Sequence, residues 1–240
     1  MRLTSTVITA AGNSLNVFIP SGFGLPKSLI PIGSAPLLVQ AIKAYSHSLE
    51  NTTVAINIEE DKEFGIAGEL HNYLPGVNIC KVQDKVAGAL ISALIAVKDC
   101  DPEGPLVIAS GDSVFTGDIG AALEDFQVRE LSAAALVFPS NNPRWSYLRL
   151  NGDGDVIEVA EKKVVGKYAT TGFFYFQSVR LFVEAATWVL VNNVNYQGRF
   201  YVSAAMNYLI SRGGKLGYHL AAPEAFRSYA LPHDFVVESD

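Results

Sequence analysis

A glycine-containing loop with one lysine follows the first predicted strand of the chain. The strand ends in the small residues Ala10-Ala11-Gly12, and the loop contains Gly22, Gly24 and the pair Pro26-Lys27. Small residues allow a planar or phosphate group to approach the backbone, whose N–H groups bind anions. Lys27 adds a positive charge on a backbone that the preceding proline restrains. Spacing alone favours an ordinary turn with a surface lysine over a phosphate site.

A carboxylate lies at the end of a second apolar strand. Residues 106–115 read L-V-I-A-S-G-D-S-V-F, which places Ser110-Gly111-Asp112 at the carboxyl end of that strand. Ligands of open α/β sheets bind outside such strand ends, and Mg²⁺ is held by one or two carboxylates together with phosphate oxygens. The alternative is an aspartate that forms a turn or caps a helix. The combination of Asp112 with the glycine-containing loop favours a site for phosphate and Mg²⁺.

The elements that position these residues alternate between short apolar strands and longer helices. The pattern predicts strands over 6–10, 53–57, 77–82 and 105–109, and helices over 36–48, 62–73 and 88–98. Repeated strand-helix-strand units are typical of a parallel sheet with helices on both faces. The first half of the chain therefore predicts an α/β fold.

The second half of the chain has a different pattern, with consecutive strands in place of regular strand-helix-strand units. The pattern predicts strands over 132–139, 147–150, 156–159, 171–177 and 216–220, and helices over 179–191 and 202–212. The turn Asn151-Gly152-Asp153-Gly154 joins two of these strands as a hairpin. Since no linker, low-complexity tract or internal repeat interrupts the sequence, we expect one α/β domain over 1–240.

Composition excludes several classes of protein. The 240 residues include 18 Lys+Arg and 24 Asp+Glu, a formal net charge of −6, which argues against a nucleic-acid partner. The longest apolar stretch, 87–97, is shorter than the roughly 18 residues of a membrane span. Cys80 and Cys100 lack metal-ligand spacing and indicate reduced thiols in a cytoplasmic protein. The charged fraction of 18% is low and compatible with a homodimer.

Several short motifs follow one another along nearly the whole chain. They are Ala11-Gly12 with the segment 22–30, then Gly88-Ala89-Leu90, Ser110-Gly111-Asp112, Glu161-Lys162, the segment 168–176, Phe200-Tyr201-Val202, Asn207, and Leu231-Pro232-His233-Asp234-Phe235. Each motif alone is weakly specific. In this order, the set resembles the sugar-1-phosphate nucleotidylyltransferase (NTP-transferase) family, with a divergent nucleotide loop.

The resemblance implies a fold and a reaction. The fold would be α/β of the GT-A-like, Rossmann-type kind, a three-layer α/β/α sandwich with a mixed, mainly parallel central sheet. The reaction would join an NTP and a phosphate monoester to give an NDP-linked product and pyrophosphate, with Mg²⁺ as cofactor. Catalysis would rest on positioning and charge neutralisation for an in-line attack on the α-phosphorus, with no covalent intermediate.

The resemblance also implies roles for individual residues. Lys27 would hold phosphate charge and Asp112 would hold Mg²⁺, both as catalytic residues. The nucleotide would lie against Ala10, Ala11, Gly12, Asn13, Gly88, Ser110 and Gly111. The acceptor would lie against Glu161, Lys162, Thr171 and Gly172. The nucleotide half would span about 1–115 and the acceptor half about 116–240.

The chain departs from the family pattern in its nucleotide loop. The family's loop arginine falls on Asn16 and its second loop glycine falls on Ser14. An asparagine cannot replace the bidentate clamp that a guanidinium forms on phosphate. Ala87 stands where a polar residue precedes Gly88, and the family's G-T-P-E-D appears as A-L-P-H-D over 230–234. The cations considered as replacements are Arg144, Arg149 and Arg227, while Arg199 either borders the acceptor pocket or packs.

Three functions are compatible with the sequence. The first is an active nucleotidyltransferase on a phosphorylated sugar or similar small phosphate, in an envelope or capsule polysaccharide pathway. The second is a catalytically impaired relative that binds nucleotide or sugar phosphate as a regulatory or assembly protein. The third is a glycosyltransferase with the GT-A fold, for which Asp153-Gly154-Asp155 has the spelling of a D-x-D metal motif. The predicted hairpin turn around that motif ranks the third function last.

Overall fold

The structure, a computed structural model, describes residues 3–83 and 86–238. The strands in this part of the chain are β1 (Ser5–Ala10), β2 (Pro31–Ile32), β3 (Ala35–Pro36), β4 (Thr52–Asn57), β5 (Asn78–Val82), β6 (Leu106–Ser110), β7 (Ser113–Phe115), β8 (Ala133–Pro139), β9 (Tyr147–Leu150), β10 (Val156–Ala160), β11 (Tyr168–Phe176), β12 (Leu216–Leu220) and β13 (Phe226–Ser228).

The α-helices in the same part of the chain are α1 (Leu15–Phe18), α2 (Leu37–Tyr45), α3 (Ile58–Phe64), α4 (Ile66–Tyr73), α5 (Ala89–Ala96), α6 (Ile119–Val128), α7 (Val179–Val191) and α8 (Val202–Ser211). Short 3₁₀ helices cover Lys27–Leu29, Leu49–Asn51, Val97–Asp99, Pro223–Ala225 and Pro232–Glu238. Among the described residues, no helix is long and apolar enough to cross a membrane.

A single mixed sheet forms the centre of the molecule. Its strands run in the spatial order β5-β4-β1-β6-β11-β8-β12, and the hairpin β9-β10 adds to the first residues of β11. Neighbours pair in parallel from β5 to β6 and again between β8 and β12, whereas β11 runs antiparallel to β6 and β8. The α/β fold with a mixed, mainly parallel sheet that the resemblance implied is confirmed.

Helices cover both faces of this sheet because successive strand residues point to opposite sides. In β6, Leu106 and Ile108 join one apolar cluster, which α5, α7 and α8 complete. Val107 and Ala109 join the other cluster, which α2, α4 and α6 complete. Two apolar interiors, one on each side of the sheet, make the predicted three-layer sandwich.

Three helical regions differ from the sequence-based prediction, of which the short helix α1 lies in the segment expected to be a loop. The helix expected over 62–73 is two helices, because Gly65 adopts the left-handed conformation with φ +67 and ends α3 just before α4 begins. The Asn57 side chain caps the start of α3, and the Asp61 carboxylate accepts a hydrogen bond from the Ala67 N–H of α4. Helix α6 was not predicted. It begins at Asp118, whose side chain accepts from the Ala121 N–H, and it buries residues at helical spacing: Ile119, Ala122, Leu123 and Phe126. The same spacing of apolar residues in the sequence could have predicted this helix.

The packing of α6 gives a test of the layered core. Phe126 is fully buried against the sheet, whereas Val128 on the same helix is 76% exposed. We expect Phe126→Ala to lower the free energy of unfolding by about 3–5 kcal/mol, since it removes a buried ring and leaves a cavity. Val128→Ala should change it by about 0.5 kcal/mol or less. Denaturant unfolding of both variants measures the difference, and equal losses would contradict this placement of α6.

Candidate active site

A cavity of about 510 Å³ opens at the carboxyl edge of the parallel strands. Parallel pairing of β1 with β6 sets Thr9 beside Ser110, so the loops that follow both strands leave the sheet together. The cavity is lined by every residue predicted for catalysis and for the nucleotide, namely Ala10, Ala11, Gly12, Asn13, Lys27, Gly88, Ser110, Gly111 and Asp112. The two sequence stretches that suggested a phosphate site therefore meet in space.

An ion pair joins those two stretches. The Lys27 Nζ lies 2.6 Å from Asp112 Oδ2, and the Ser110 hydroxyl donates to Asp112 Oδ1 at 2.6 Å. Burial alone would raise the pKa of the Asp112 carboxyl, but the Lys27 ammonium and the Ser110 hydroxyl lower it by more, so its pKa lies below the usual value. Asp112 is therefore ionised at neutral pH. About a quarter of each side chain remains exposed, which leaves both groups accessible from the cavity.

The backbone at Lys27 is fixed by Ser14 of the preceding loop. Pro26 is extended and leads into the 3₁₀ turn at Lys27–Leu29, and the Lys27 N–H donates to Ser14 Oγ at 3.0 Å. The Ser14 hydroxyl and N–H both donate to Glu60 Oε1, at 2.9 and 2.6 Å. Ser14, at the position of the family's second loop glycine, thus ties the lysine to a buried carboxylate.

Glu60 is a cavity residue that the sequence analysis missed. Its side chain is almost fully buried in the first turn of α3 and lines the same cavity as Lys27. Burial raises the pKa of Glu60 above its usual value, although the hydrogen bonds from Ser14 offset part of the rise. The order of the strands in the sequence could have predicted the position of Glu60. Glu60 follows β4, which is parallel to β1, and so it must lie at the same edge as Asn13 and Asp112.

A segment from the second half of the chain closes the cavity. The Phe200 N–H donates to the Ala87 carbonyl at 2.8 Å, and the Phe200 carbonyl accepts from the Leu90 N–H at 3.2 Å. Gly88 lies between these contacts with φ +112, and a Cβ there would come within 2.3 Å of the Phe200 oxygen. Glycine is therefore needed for this docking. The docked segment brings Gln197, Gly198, Arg199 and Tyr201 to the cavity wall.

The four residues predicted for the acceptor lie beside the cavity and are absent from its described lining. Glu161 Oε2 accepts hydrogen bonds from Ser146 and, at 2.7 Å, from Ser203. The Lys162 Nζ lies 5.6 Å from the ring centre of Tyr201, a lining residue.

The other two predicted acceptor residues lie in the sheet. Thr171 is buried and donates to the Leu136 carbonyl at 3.2 Å. A Cβ at Gly172 would lie 3.1 Å from Cβ of Ser110, so Gly172 adjoins the cavity at that point.

The arginines considered as replacements for the loop arginine lie elsewhere. Arg144 pairs with Asp234 at 3.1 Å and its guanidinium stacks 4.3 Å from the Trp145 ring centre. Arg149 pairs with Glu158 at 2.8 Å, and Arg227 belongs to β13, opposite Val114 of β7. Among the described residues, the cavity lining contains none of these arginines. Asn16 is exposed on α1 and is likewise absent from the lining.

The donor set suits a metal that the substrate helps to hold. In the described ranges, no group of three or more His, Cys, Asp or Glu side chains is arranged to bind a metal ion. Asp112 and Glu60 are the carboxylates among the described lining residues. Mg²⁺ needs one or two carboxylates when phosphate oxygens and water complete its coordination. The ionised Asp112 fits this requirement.

The D-x-D sequence lies outside this cavity. Asp153-Gly154-Asp155 forms the exposed turn between β9 and β10, where the Asn151 side chain accepts from the N–H groups of Asp153 and Asp155. The motif is therefore part of a hairpin turn, as its sequence context predicted.

A larger cavity of about 730 Å³ lies at the opposite edge of the sheet, near the starts of β1 and β5. Both cysteines line it, and both are free. Burial raises the pKa of the Cys80 and Cys100 thiols, which keeps them protonated and unreactive at neutral pH. Its lining also contains the exposed ion pair between Lys98 and Asp99, at 3.6 Å, and it lies away from the glycine-containing loop and the Lys27–Asp112 pair.

The buried carboxylate gives a pH-dependent prediction. Because the folded-state pKa of Glu60 is raised, folding binds a proton, and stability falls as pH rises through that pKa. Glu60→Gln keeps the shape and the acceptor oxygen but removes this loss. We therefore expect the unfolding free energy of Glu60→Gln, relative to wild type, to increase between pH 4 and pH 8.

Glu63→Gln, on an exposed position of the same helix, is the matched control and should show no such trend. Chemical denaturation across the pH range measures both variants. A difference between Glu60→Gln and wild type that stays constant or shrinks with rising pH would contradict the raised pKa.

Known proteins share this fold. The nucleoside-diphosphate-sugar pyrophosphorylase from Vibrio cholerae RC9 superposes with a TM-score of 0.82 at 17% identity, covering 96% of this chain and 98% of that one. A putative glucose-1-phosphate thymidylyltransferase from Bacillus anthracis, in complex with a sucrose, superposes with a TM-score of 0.74 at 19% identity, covering 97% and 92%. At these identities the likeness establishes the fold.

Sequence comparison gives the relationship. Bifunctional protein GlmU of Streptococcus equi subsp. zooepidemicus is 23% identical over 224 residues, which cover 89% of this chain and 46% of GlmU. The Lactobacillus helveticus GlmU is 28% identical over 162 residues, 63% of this chain and 34% of that protein. The chain thus spans less than half the length of these relatives. The family model for nucleotidyl transferases matches residues 7–198, and the chain therefore belongs to the nucleotidyl transferase family.

Proposed function

We propose that this protein transfers a nucleoside monophosphate from an NTP to a sugar 1-phosphate or a similar small phosphate and releases pyrophosphate. The observation that carries the proposal is the Lys27–Asp112 pair in a cavity at the carboxyl edge of the sheet. Family membership supports the reaction class. The names of the two structural neighbours, a pyrophosphorylase and a thymidylyltransferase, support a sugar phosphate as acceptor.

In the proposed reaction, an oxygen of the acceptor phosphate attacks the α-phosphorus of the NTP. The bond from the α-phosphorus to the bridging oxygen of the β-phosphate breaks, and its electron pair leaves with pyrophosphate. No proton donor is required, because the nucleophile and the leaving group are both phosphate anions. The protein's part is to align the two substrates and to neutralise their charge.

The nucleotide half of this site is proposed to be the edge formed by residues 1–115. The backbone of Ala10–Asn13 and the Gly88, Ser110 and Gly111 positions carry little or no side-chain bulk, which suits close approach of a base and of phosphates. Lys27 would bind phosphate oxygens with an ammonium that now contacts Asp112. Phosphate would then take the place of the carboxylate as its partner.

Asp112 is the residue proposed to hold Mg²⁺. Its carboxylate is ionised at neutral pH, and one of its oxygens is oriented by the Ser110 hydroxyl. Mg²⁺ bound there would neutralise charge on the phosphates of the NTP. In the ligand-free site, the Lys27 ammonium donates to Asp112 Oδ2, so this carboxylate already has a cation as its partner.

The acceptor half is proposed to lie against Glu161, Lys162, Thr171 and Gly172, beside the cavity. Lys162 has a positive φ of 52°, and its ammonium lies 5.8 and 5.6 Å from the ring centres of Tyr196 and Tyr201. Such a cation is suited to the acceptor's phosphate, and the Glu161 carboxylate to hydroxyl groups of a sugar.

Because NTPs and sugar phosphates are metabolites of the cytoplasm, we infer a cytoplasmic reaction that supplies envelope or capsule polysaccharide.

A catalytically impaired family member that binds nucleotide or sugar phosphate is the second candidate. It is favoured by one observation, the exposed Asn16 at the position of the family's arginine. Loss of a bidentate contact to the leaving pyrophosphate reduces charge neutralisation in the transition state. The two candidates share ligand binding and differ in turnover.

Ligand binding is the experiment that tests the shared part of both candidates. We expect Mg²⁺ together with one of the NTPs to raise the melting temperature, since a ligand at 100 times its Kd stabilises by about 2.7 kcal/mol. For a chain of this length, that is a shift of several degrees. Lys27→Met should abolish the shift because the phosphate-binding cation is lost.

Lys62→Met is the matched control, because Lys62 forms an exposed ion pair with Glu59 away from the cavity lining. It should retain the wild-type shift. Absence of a shift with every NTP, or an undiminished shift in Lys27→Met, would contradict the proposed nucleotide site.

A further inference from the structure

We propose that Arg199 binds a phosphate group in the cavity and takes the place of the family's loop arginine, which is Asn16 in this chain. The inference rests on the proposed function and concerns a residue from the second half of the chain. Arg199 lines the cavity together with Lys27 and Asp112. The family resemblance assigns no role to this position, and its guanidinium offers the bidentate geometry that an asparagine cannot.

The backbone around Arg199 is firmly held. The Arg199 N–H donates to the Tyr196 carbonyl at 3.0 Å, and its carbonyl accepts from the Tyr196 N–H at 2.9 Å. The Asn195 side chain accepts from the Gly198 N–H at 2.9 Å, closing the turn. Phe200, the next residue, is docked on Ala87 and Leu90. Backbone hydrogen bonds of Arg199 and its neighbours therefore hold this residue at the cavity wall. None of these bonds uses the Arg199 side chain, which is available to bind a ligand.

The Arg199 guanidinium is available for a ligand. Within residues 3–83 and 86–238, its side chain forms no hydrogen bond or ion pair, and the residue is exposed. By contrast, Arg144 pairs with Asp234 and Arg149 pairs with Glu158. An exposed arginine among the lining residues of a concave site is suited to an incoming anion.

The charged side chains that line the cavity favour this role for Arg199. The acidic and basic side chains in its described lining are Lys27, Glu60, Asp112 and Arg199. Asp112 neutralises Lys27, and Glu60 adds negative charge whenever it is ionised. Without Arg199, this set would have a net charge of zero or below in the ligand-free site, so Arg199 supplies the net positive charge that attracts a phosphate. Arg199 is the cation in the set that no carboxylate of the described chain neutralises.

The ligand chemistry is a phosphate group, which both the NTP and the acceptor contain. Titration calorimetry with the Mg²⁺–NTP that gives the largest thermal shift, and separately with a hexose 1-phosphate, distinguishes the two sources. We expect Arg199→Gln to weaken binding of at least one ligand by about ten- to a hundredfold, as for a lost charged hydrogen-bonding partner. Arg199→Lys should lie between Arg199→Gln and wild type, since it keeps the charge and loses the fork.

Two further measurements separate phosphate binding from a structural role. Arg199→Gln should reduce the salt dependence of binding while leaving the melting temperature of the ligand-free protein unchanged. Arg212→Gln, at an exposed arginine that follows α8, removes the same charge away from the cavity lining and should bind like wild type.

Binding of both ligands to Arg199→Gln within twofold of wild type would overturn this inference and leave the proposed function intact. A loss confined to the NTP assigns Arg199 to the triphosphate, and a loss confined to the hexose 1-phosphate assigns it to the acceptor; either supports the inference. Wild-type protein that binds neither ligand would overturn the proposed function itself, and this inference with it.

Discussion

The ion pair between Lys27 and Asp112 is the interaction around which the rest of the site is organised. It joins a loop that follows β1 to the end of β6, and it exists because parallel pairing delivers both strand ends to one edge. The pair also solves an electrostatic problem, since a partly buried carboxylate without a cation would take up a proton. The pKa of Asp112 remains low and the carboxylate stays charged. Ser14 and Glu60 then fix the lysine's backbone from the other side, so contacts to the ends of three parallel strands hold the glycine-containing loop in place.

The second half of the chain completes the site through a single close approach. Gly88 admits the Phe200 backbone, and with it the turn that carries Arg199 and Tyr201 to the cavity. This contact couples two parts of the chain that are more than a hundred residues apart. The Lys162 ammonium lies 5.6 Å from the ring centre of Tyr201, and Gly172 adjoins Ser110, so two of the proposed acceptor residues reach the cavity lining. Alignment of two substrates for in-line transfer needs such a rigid junction, because misplacement by about 1 Å costs orders of magnitude in rate.

The sequence predicts much of the fold and of the candidate site. Alternating strands and helices predict the sheet, and the rule that ligands lie at carboxyl strand ends predicts that Gly12 and Asp112 meet. Glu60 was not predicted as a site residue because it falls between the strand expected over 53–57 and the helix expected over 62–73, although its position after β4 places it at the same edge. Arg199 could not be assigned, since its location depends on a docked turn and on contacts between distant backbones. The same limit applies to Arg144, whose partner Asp234 is 90 residues away and removes it from the site.

The central claim is that this cavity performs nucleotidyl transfer, and pyrophosphate release tests it most directly. Purified protein is incubated with Mg²⁺, each NTP and a hexose 1-phosphate, and the release of pyrophosphate and the formation of the NDP-linked product are followed together. The account predicts stoichiometric appearance of both with at least one NTP, dependence on Mg²⁺, and a loss of at least about a hundredfold in Asp112→Asn. Nucleotide binding without any product, or wild-type turnover in Asp112→Asn, would contradict it.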